Sequence, residues 1–157
     1  MYGVENIIRV GSCGAIDPSV QLMDLVFAQG ACTDSNYASQ YRLPGTFAPI
    51  ASYDLLEAAV QIARKKDLRY FVGNVLASDF FYADHQATLD WQKMGVLAVE
   101  MEAAALYMNA ARAKKRALCM LTVSDEVHSG REISAHERLV GFTVMMEVAL
   151  ELAAQIS

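Results

Sequence analysis

Short apolar runs alternate along this chain with segments of helical periodicity, and glycine or polar residues bound both kinds of segment. The apolar, β-rich runs lie at residues 5–11, 23–30, 69–77, 96–99 and 116–123. Helical patterns follow Ser52, cover residues 101–115, and begin again at a capping box formed by Ser134 and Glu137. Strands alternating with helices in this way predict an α/β sheet with helices on both faces.

The length and composition predict one globular domain, residues 1–157, with neither an internal repeat nor a linker. The chain has 157 residues, of which 54% are hydrophobic, and a net charge of −5. Its lysines and arginines are scattered apart from one run at 112–116, which argues against a nucleic-acid binder. Since no apolar stretch reaches the roughly 18 residues that span a bilayer, and no signal peptide is recognisable, we expect a cytoplasmic protein without membrane association.

The cysteines Cys13, Cys32 and Cys119 are widely spaced and odd in number. This spacing fits neither a disulfide framework nor a zinc site, so we interpret them as reduced thiols. Cys13 lies in a glycine-rich turn, where a catalytic role is conceivable, but no basic partner is evident in the sequence.

Polar clusters follow several of the predicted strands, and these clusters are the candidates for a functional site. They are Arg9 and Ser12; Ser78, Asp79, Phe81 and Tyr82; Glu100 and Glu102; and Ser124, Asp125 and Glu126. If the strands lie parallel in one sheet, their ends meet at one rim. An arginine, hydroxyls, aromatic rings and acids would then share a single cleft.

Arg9 and Ser12 have both a structural and a functional interpretation. Arg9 inside an apolar strand could pair with a nearby acid, or its planar guanidinium could bind an anion such as phosphate. Ser12 with the following Cys13–Gly14 could form only a tight turn, although glycine there also lets backbone N–H groups approach an anion.

The aromatic pair Phe81 and Tyr82 follows the strand at 69–77. Such residues are more often part of the core than of a binding site. An aromatic ring at a strand exit is nevertheless a natural stacking surface for a flat heterocycle.

Glu100 and Glu102 flank Met101 at the junction between a strand and a helix. Capping of the first helical turn explains one carboxylate. The second carboxylate could accept hydrogen bonds from two hydroxyls at once, and vicinal hydroxyls are what a ribose presents.

Asp125 ends the apolar strand at 116–123 in a similar manner. It could be a turn or N-cap aspartate. It could also be a general acid, in which case its pKa must be raised by burial or by a neighbouring charge, and Glu126 would act in that direction.

Taken together, these segments resemble a known family. The motifs RVGSCGA, DLV, GACTDS, SDFFY, VEMEAAALY, TVSD and ERLVGF, in this order, resemble the bacterial hexameric purine nucleoside phosphorylases of the nucleoside phosphorylase superfamily. The resemblance covers nearly the whole chain. It implies a three-layer α/β fold with a central mixed, mostly parallel β-sheet flanked by helices, and a homo-oligomer assembled as a trimer of dimers.

The resemblance implies the exchange of a purine for phosphate on a ribo- or deoxyribonucleoside, without a cofactor or metal and with inorganic phosphate as co-substrate. It assigns the purine nucleoside and phosphate to one site. The implied roles are phosphate binding by Arg9 and Ser12; ribose binding by Met101, Glu102 and Glu100; base binding by Phe81, Val99, Ser124, Cys13 and Gly14; and catalysis by Asp125 and Arg138.

Sister families leave alternatives open. Methylthioadenosine and adenosylhomocysteine nucleosidases share V-E-M-E and S-D but typically lack the strand arginine, so Arg9 favours phosphorolysis over hydrolysis. Uridine phosphorylases lack the aspartate after the last strand, so Asp125 favours purines. The chain would correspond to the C-terminal two thirds of the family fold, without the N-terminal Gly-Asp-Pro phosphate loop. A non-catalytic nucleoside-binding or oligomer-forming remnant is therefore the competing hypothesis.

Overall fold

A computed structural model describes residues 3–80 and 85–156 of the chain. The strands are β1 (Asn6–Ala15), β2 (Leu25–Thr33), β3 (Tyr70–Ala77), β4 (Ala98–Glu100), β5 (Arg116–Glu126) and β6 (Arg131–Glu132). The helices are α1 (Tyr53–Lys65), α2 (His85–Lys93), α3 (Ala103–Arg112), α4 (Ala135–Gly141) and α5 (Thr143–Gln155), with a 3₁₀ helix at Tyr37–Tyr41.

The strands form one mixed sheet that closes on itself. Its order is β1-β4-β3-β2-β5-β6, and a further pairing between β1 and β5 completes a ring of five strands. The pairs β1–β5, β2–β3 and β3–β4 are parallel, whereas β1–β4, β2–β5 and β5–β6 are antiparallel. The sheet is therefore mixed, as expected, but it closes into a barrel-like ring and is not plainly parallel.

Helices flank the sheet on two sides, as predicted. Helix α3 packs its buried residues, among them Tyr107 and Met108, against a cluster that includes Cys119 and Leu121 of β5. Helices α1 and α5 cover a second cluster around Phe27. Strand β5 contributes to both clusters because its successive side chains point to opposite faces. Within the described residues, the helices are too short or too polar to cross a bilayer.

Several predicted boundaries shift in the structure. Strand β1 continues through Ser12 to Ala15, a stretch that the sequence analysis interpreted as a turn, because residues 12–15 pair with β5 and β4. The helix that begins at the Ser134–Glu137 capping box is interrupted at Phe142, between α4 and α5. The capping box itself is confirmed: Ser134 N–H donates to Glu137 Oε2 at 2.7 Å and Glu137 N–H to Ser134 Oγ at 3.2 Å.

Candidate active site

A cavity of about 580 Å³ opens where the ends of β1, β4 and β5 meet. Most of the site residues named from the sequence line this cavity: Arg9, Ser12, Cys13, Gly14, Val99, Glu100, Met101, Glu102, Ser124, Asp125 and Arg138. Phe81 lies outside the described residues. The volume is that of a typical small-molecule site.

The polar strand ends meet for a different reason from the one expected. Strand β4 runs antiparallel to β1, with Val99 opposite Gly14 and Ala98 opposite Ala15. The chain leaving β4 therefore runs back along β1, which brings Glu100 and Glu102 beside Arg9. Strand β5 is parallel to β1, and its register places Asp125 opposite Gly14. The cavity therefore has two charged walls on either side of β1, one from the antiparallel strand β4 and one from the parallel strand β5.

The first of these, the Arg9 wall, consists of Arg9, Glu100 and Glu102. The guanidinium of Arg9 forms an ion pair with Glu102 through Nη2 and lies 3.5 Å from Glu100 Oε2 through Nη1. Nη1 also donates to Cys119 Sγ at 3.4 Å. Arg9 therefore does pair with acids, as the structural interpretation of its sequence position required, and it also faces the cavity.

Glu100 is the carboxylate that caps the helix. Its side chain accepts hydrogen bonds from the backbone N–H groups of Glu102, at 3.0 Å, and Ala103, at 2.9 Å. These groups belong to the start of α3, where the helix has unpaired donors and a positive dipole end. Because Glu100 is buried, its pKa lies above its ordinary value, although the two N–H groups and Arg9 oppose that shift.

Glu102 does not cap the helix with its side chain, although it occupies the N-cap position of α3. Its side chain is 58% exposed, against 1% for Glu100. The neighbouring Met101 is also exposed and lines the cavity. The exposed carboxylate of Glu102 is therefore the acceptor that a ligand can reach, whereas Glu100 is held by the backbone.

The second wall, the Asp125 wall, consists of Ser124, Asp125, Glu126 and Arg131. Ser124 Oγ donates a hydrogen bond of 2.7 Å to Asp125 Oδ1. A β-bulge between Cys13 and Gly14 sets the register here, and a Cβ atom at Gly14 would lie only 2.6 Å from Asp125 Oδ2. Glycine at this position therefore provides the space in which the Asp125 carboxylate sits.

Glu126 has partners of its own. Its carboxylate accepts hydrogen bonds from Ser129 Oγ at 2.6 Å, from Arg131 Nε at 2.9 Å and from Arg131 Nη2 at 2.5 Å. These hydrogen bonds, together with the charge of Arg131, lower the pKa of Glu126. The negative charge that the sequence analysis set beside Asp125 is thus neutralised by Arg131.

Three further predicted site residues occupy the rim and floor of the cavity. Ser12 is exposed and Cys13 is buried, and burial raises the pKa of the Cys13 thiol well above its ordinary value. This makes Cys13 a neutral lining residue and a poor nucleophile. Arg138, on α4, lies 3.9 Å from Glu132 through Nη2.

Several other residues that line the cavity had not been identified from the sequence. Asp34 follows β2 and accepts hydrogen bonds from Ser78 Oγ at 2.7 Å and Asp79 N–H at 3.0 Å. Phe80 and Trp91 add aromatic surface from the end of β3 and from α2. The polar cluster at Ser78 and Asp79 was a usable signal, but its partner Asp34 is 44 positions away in sequence.

Within residues 3–80 and 85–156, no three histidine, cysteine or acidic side chains are placed together to hold a metal ion. The donors in the cavity are instead guanidinium, hydroxyl and carboxyl groups. Such a set suits a ligand that offers both an anion and hydroxyl groups.

Comparison with known proteins gives consistent results. The model of the phosphorylase superfamily matches residues 1–156. A purine nucleoside phosphorylase DeoD-type of Clostridium novyi is 49% identical over 154 residues, which are 97% of this chain and 66% of the relative. Another from Clostridium beijerinckii is 49% identical over 157 residues, 99% of this chain and 66% of the relative. The chain thus spans about two thirds of the length of these relatives.

A solved structure described as the P knowlesi homolog of P falciparum PNP has the same fold. It superposes with a TM-score of 0.83 at 24% sequence identity, covering 98% of this chain and 63% of that chain. The mixed closed sheet, its flanking helices and the match along residues 1–156 together establish that the chain belongs to the phosphorylase superfamily.

Proposed function

We propose that this protein is a purine nucleoside phosphorylase, which reversibly converts a purine ribo- or deoxyribonucleoside and phosphate into free base and pentose 1-phosphate. The observation that carries the proposal is that a cation, a reachable carboxylate and a second acid line one nucleoside-sized cavity. The relatives named purine nucleoside phosphorylase, nearly half identical over almost the whole chain, support it.

On the phosphate side, Arg9 and Ser12 bind the anion. The guanidinium of Arg9 offers a planar pair of donors that suits phosphate oxygens, and the hydroxyl of the exposed Ser12 adds another. Phosphate attacks C1′ of the sugar as the bond to the base breaks. Inorganic phosphate is the co-substrate, and the reaction uses neither a metal nor another cofactor.

On the sugar side, Glu102 accepts hydrogen bonds from the ribose hydroxyls. Its exposed carboxylate can take two donors, and Glu100 fixes the backbone of Glu102 through its hydrogen bond to that N–H. Met101 lies against the sugar. The base packs against Val99, with Ser124, Cys13 and Gly14 around it, and the assignment of Phe81 to the base site stays a prediction from the sequence.

At the base, Asp125 is the general acid that protonates the purine at N7. Cleavage of the glycosidic bond leaves negative charge on the departing base and positive charge on the sugar, so a donor at N7 and an anion at C1′ stabilise both ends. Ser124 orients the Asp125 carboxyl by its hydrogen bond. Arg138 assists the acid from the rim, and the protein acts in the cytoplasm as a homo-oligomer.

The test is incubation of the purified protein with inosine or adenosine, with and without phosphate, while free base is measured. Phosphate-dependent release of base together with pentose 1-phosphate is the expected result. Base release that is unchanged when phosphate is omitted would replace the proposal with a nucleoside hydrolase. Nucleoside binding without release would favour a non-catalytic binding protein.

A further inference from the structure

The guanidinium of Arg9 occupies the space that a side chain at Gly11 would fill. A Cβ atom on Gly11 would lie 2.7 Å from Arg9 Nη1, 3.0 Å from Cζ and 3.1 Å from Nη2. Arg9 and Gly11 are two positions apart on β1, so their side-chain directions share one face of the strand. The long Arg9 side chain therefore folds along its own strand and passes over Gly11.

The backbone at Gly11 does not itself require glycine. The described glycines with positive φ are Gly3, Gly95 and Gly130, and Gly11 is not among them. An alanine could adopt the same backbone conformation. A side chain at Gly11 would therefore displace the guanidinium of Arg9, which is the mobile end of a long side chain.

A second contact holds the guanidinium from the neighbouring strand. Cys119 is the register partner of Arg9 on β5, and its sulfur accepts a hydrogen bond of 3.4 Å from Arg9 Nη1. Cys119 is fully buried, and burial raises the pKa of its thiol to about 12. It is therefore a neutral acceptor that adds no charge to the site.

We propose that Gly11 and Cys119 are positioning residues that form a slot for the Arg9 guanidinium, and that this slot sets the affinity of the cavity for phosphate. Gly11 provides the space, Cys119 directs Nη1 into the sheet, and Nη2 is left toward the cavity, where it meets Glu102. The inference rests on the proposed role of Arg9 in phosphate binding. According to this proposal, the two uncharged residues Gly11 and Cys119 orient the charged side chain of Arg9.

The slot is tested with the variants Gly11→Ala and Cys119→Val, each measured by calorimetric titration with inorganic phosphate and separately with a nucleoside. Both variants should weaken phosphate binding by about tenfold or more, the value of a charge-assisted hydrogen bond. The nucleoside affinity should stay within about twofold, because the Glu102 carboxylate is 58% exposed and stays available to ribose hydroxyls even when its ion pair with Arg9 is lost.

Two matched variants separate positioning from packing. Cys119→Ser keeps an acceptor for Nη1 and should retain most of the phosphate affinity, whereas the branched, apolar Cys119→Val, which has no acceptor, should not. The control for Gly11→Ala is Gly73→Ala, in strand β3 and away from the cavity. Its new Cβ would lie 2.8 Å from Leu97 Cδ1, and phosphate binding should stay unchanged. Equal effects of Gly11→Ala and Gly73→Ala, or of Cys119→Ser and Cys119→Val, would overturn the slot.

A measurement without phosphate keeps this inference separate from the proposed function. Phenylglyoxal modifies accessible arginines, and peptide mass spectrometry gives the rate at Arg9. We expect that rate to rise several-fold in Gly11→Ala and Cys119→Val and not in Cys119→Ser. If the wild type binds no phosphate, the role of Arg9 in the proposed function fails, yet a faster modification still supports the slot. An unchanged rate at Arg9 overturns the slot whatever the phosphate result.

Discussion

Glu100 on the Arg9 wall and Glu126 on the Asp125 wall are the same residue type, and each has a side chain that is only 1% exposed. Their pKa values nevertheless shift in opposite directions: burial raises that of Glu100, whereas hydrogen bonds from Ser129 and Arg131 lower that of Glu126. Arg131 binds Glu126 through two nitrogens at 2.5 and 2.9 Å, while Arg9 lies 3.5 Å from Glu100 and is shared with Glu102. The direction of the pKa shift therefore depends on which effect is larger: burial at Glu100, or the hydrogen bonds from Ser129 and Arg131 at Glu126.

The difference extends to how each wall meets a ligand. The cation of the Arg9 wall faces the cavity and has an exposed partner, Glu102, that can move away. On the Asp125 wall, Arg131 binds Glu126 through Nε and Nη2, and Arg138 on the rim lies near Glu132. The Arg9 wall is thus suited to bind an anion. On the other wall, Asp125 takes part in none of the ion pairs formed within residues 3–80 and 85–156.

Among the substitutions that test this difference between the two walls, the one at Asp125 should have the largest effect. Asp125→Asn removes the proton donor, so kcat/KM for inosine and adenosine should both fall by about 10²- to 10⁴-fold, the usual value of general acid catalysis. Steady-state kinetics with both nucleosides is the measurement, with the exposed Asp90→Asn as control. Unchanged rates in Asp125→Asn would remove this residue from the acid role.

Arg131→Gln tests whether the cation holds Glu126 ionised. Loss of two hydrogen bonds to a buried carboxylate should lower the free energy of unfolding by about 2 kcal/mol near neutral pH. Because the folded pKa of Glu126 is lowered, its stabilisation is present above the ordinary value of 4.5 and is lost as the pH falls through the folded value. The gap between wild type and variant should therefore shrink in acid, as measured by urea unfolding.

The control for this variant is Arg116→Gln, whose ion pair with Asp54 is exposed on both sides. An exposed pair contributes about 0–1 kcal/mol, so this substitution should have the smaller effect. A cost at Arg131 no larger than that at Arg116 would mean that Glu126 does not depend on its cation.

Glu102→Gln sharpens the contrast between the two glutamates of the Arg9 wall. The amide accepts hydroxyl donors less strongly than a carboxylate, so the nucleoside Kd should rise about tenfold. Since the side chain is 58% exposed, the unfolding free energy should barely change. Titration calorimetry measures the first and thermal unfolding the second, with the partly exposed Glu151→Gln as control. Undiminished nucleoside affinity would exclude Glu102 from the sugar site.

Glu100→Gln should have the smallest effect and an opposite pH dependence to that of Arg131→Gln. The weaker cap on α3 should cost about 1 kcal/mol of stability. Because the folded pKa of Glu100 is raised, its contribution is complete below 4.5 and is lost as the pH rises through the folded value. Urea unfolding across this range should show the advantage of the wild type over Gln decreasing as the pH rises. An advantage that grows with pH would mean that Arg9 outweighs burial.

Patterns among residues close together in the sequence predicted much of the secondary structure. The helix after Ser52, the helix that follows Glu102 and the Ser134–Glu137 capping box all follow from residues close together in sequence. The gathering of polar residues in one cavity was also predictable, because each cluster lies at or near the end of an apolar run in the sequence. The roles assigned to those residues remain predictions.

Long-range pairing was beyond such patterns. An apolar run does not reveal that β1 pairs with both β4 and β5, and this pairing closes the sheet and reverses the expected direction of β4. For the same reason the sequence could not tell which glutamate caps α3. That choice depends on Arg9 and on the return of the chain along β1, which bury Glu100 and leave Glu102 exposed.

The closed sheet has a consequence for how the site comes into being. The partners Glu102 and Cys119 lie 93 and 110 positions from Arg9 along the chain, so the anion site has no local precursor. Contacts of such long sequence separation form only when the loop-closure entropy has been overcome, and they tend to make folding slow. A ligand bound at Arg9 therefore stabilises only the complete native state. The degree to which the ligand protects the protein against global unfolding then measures whether the ring of strands has closed.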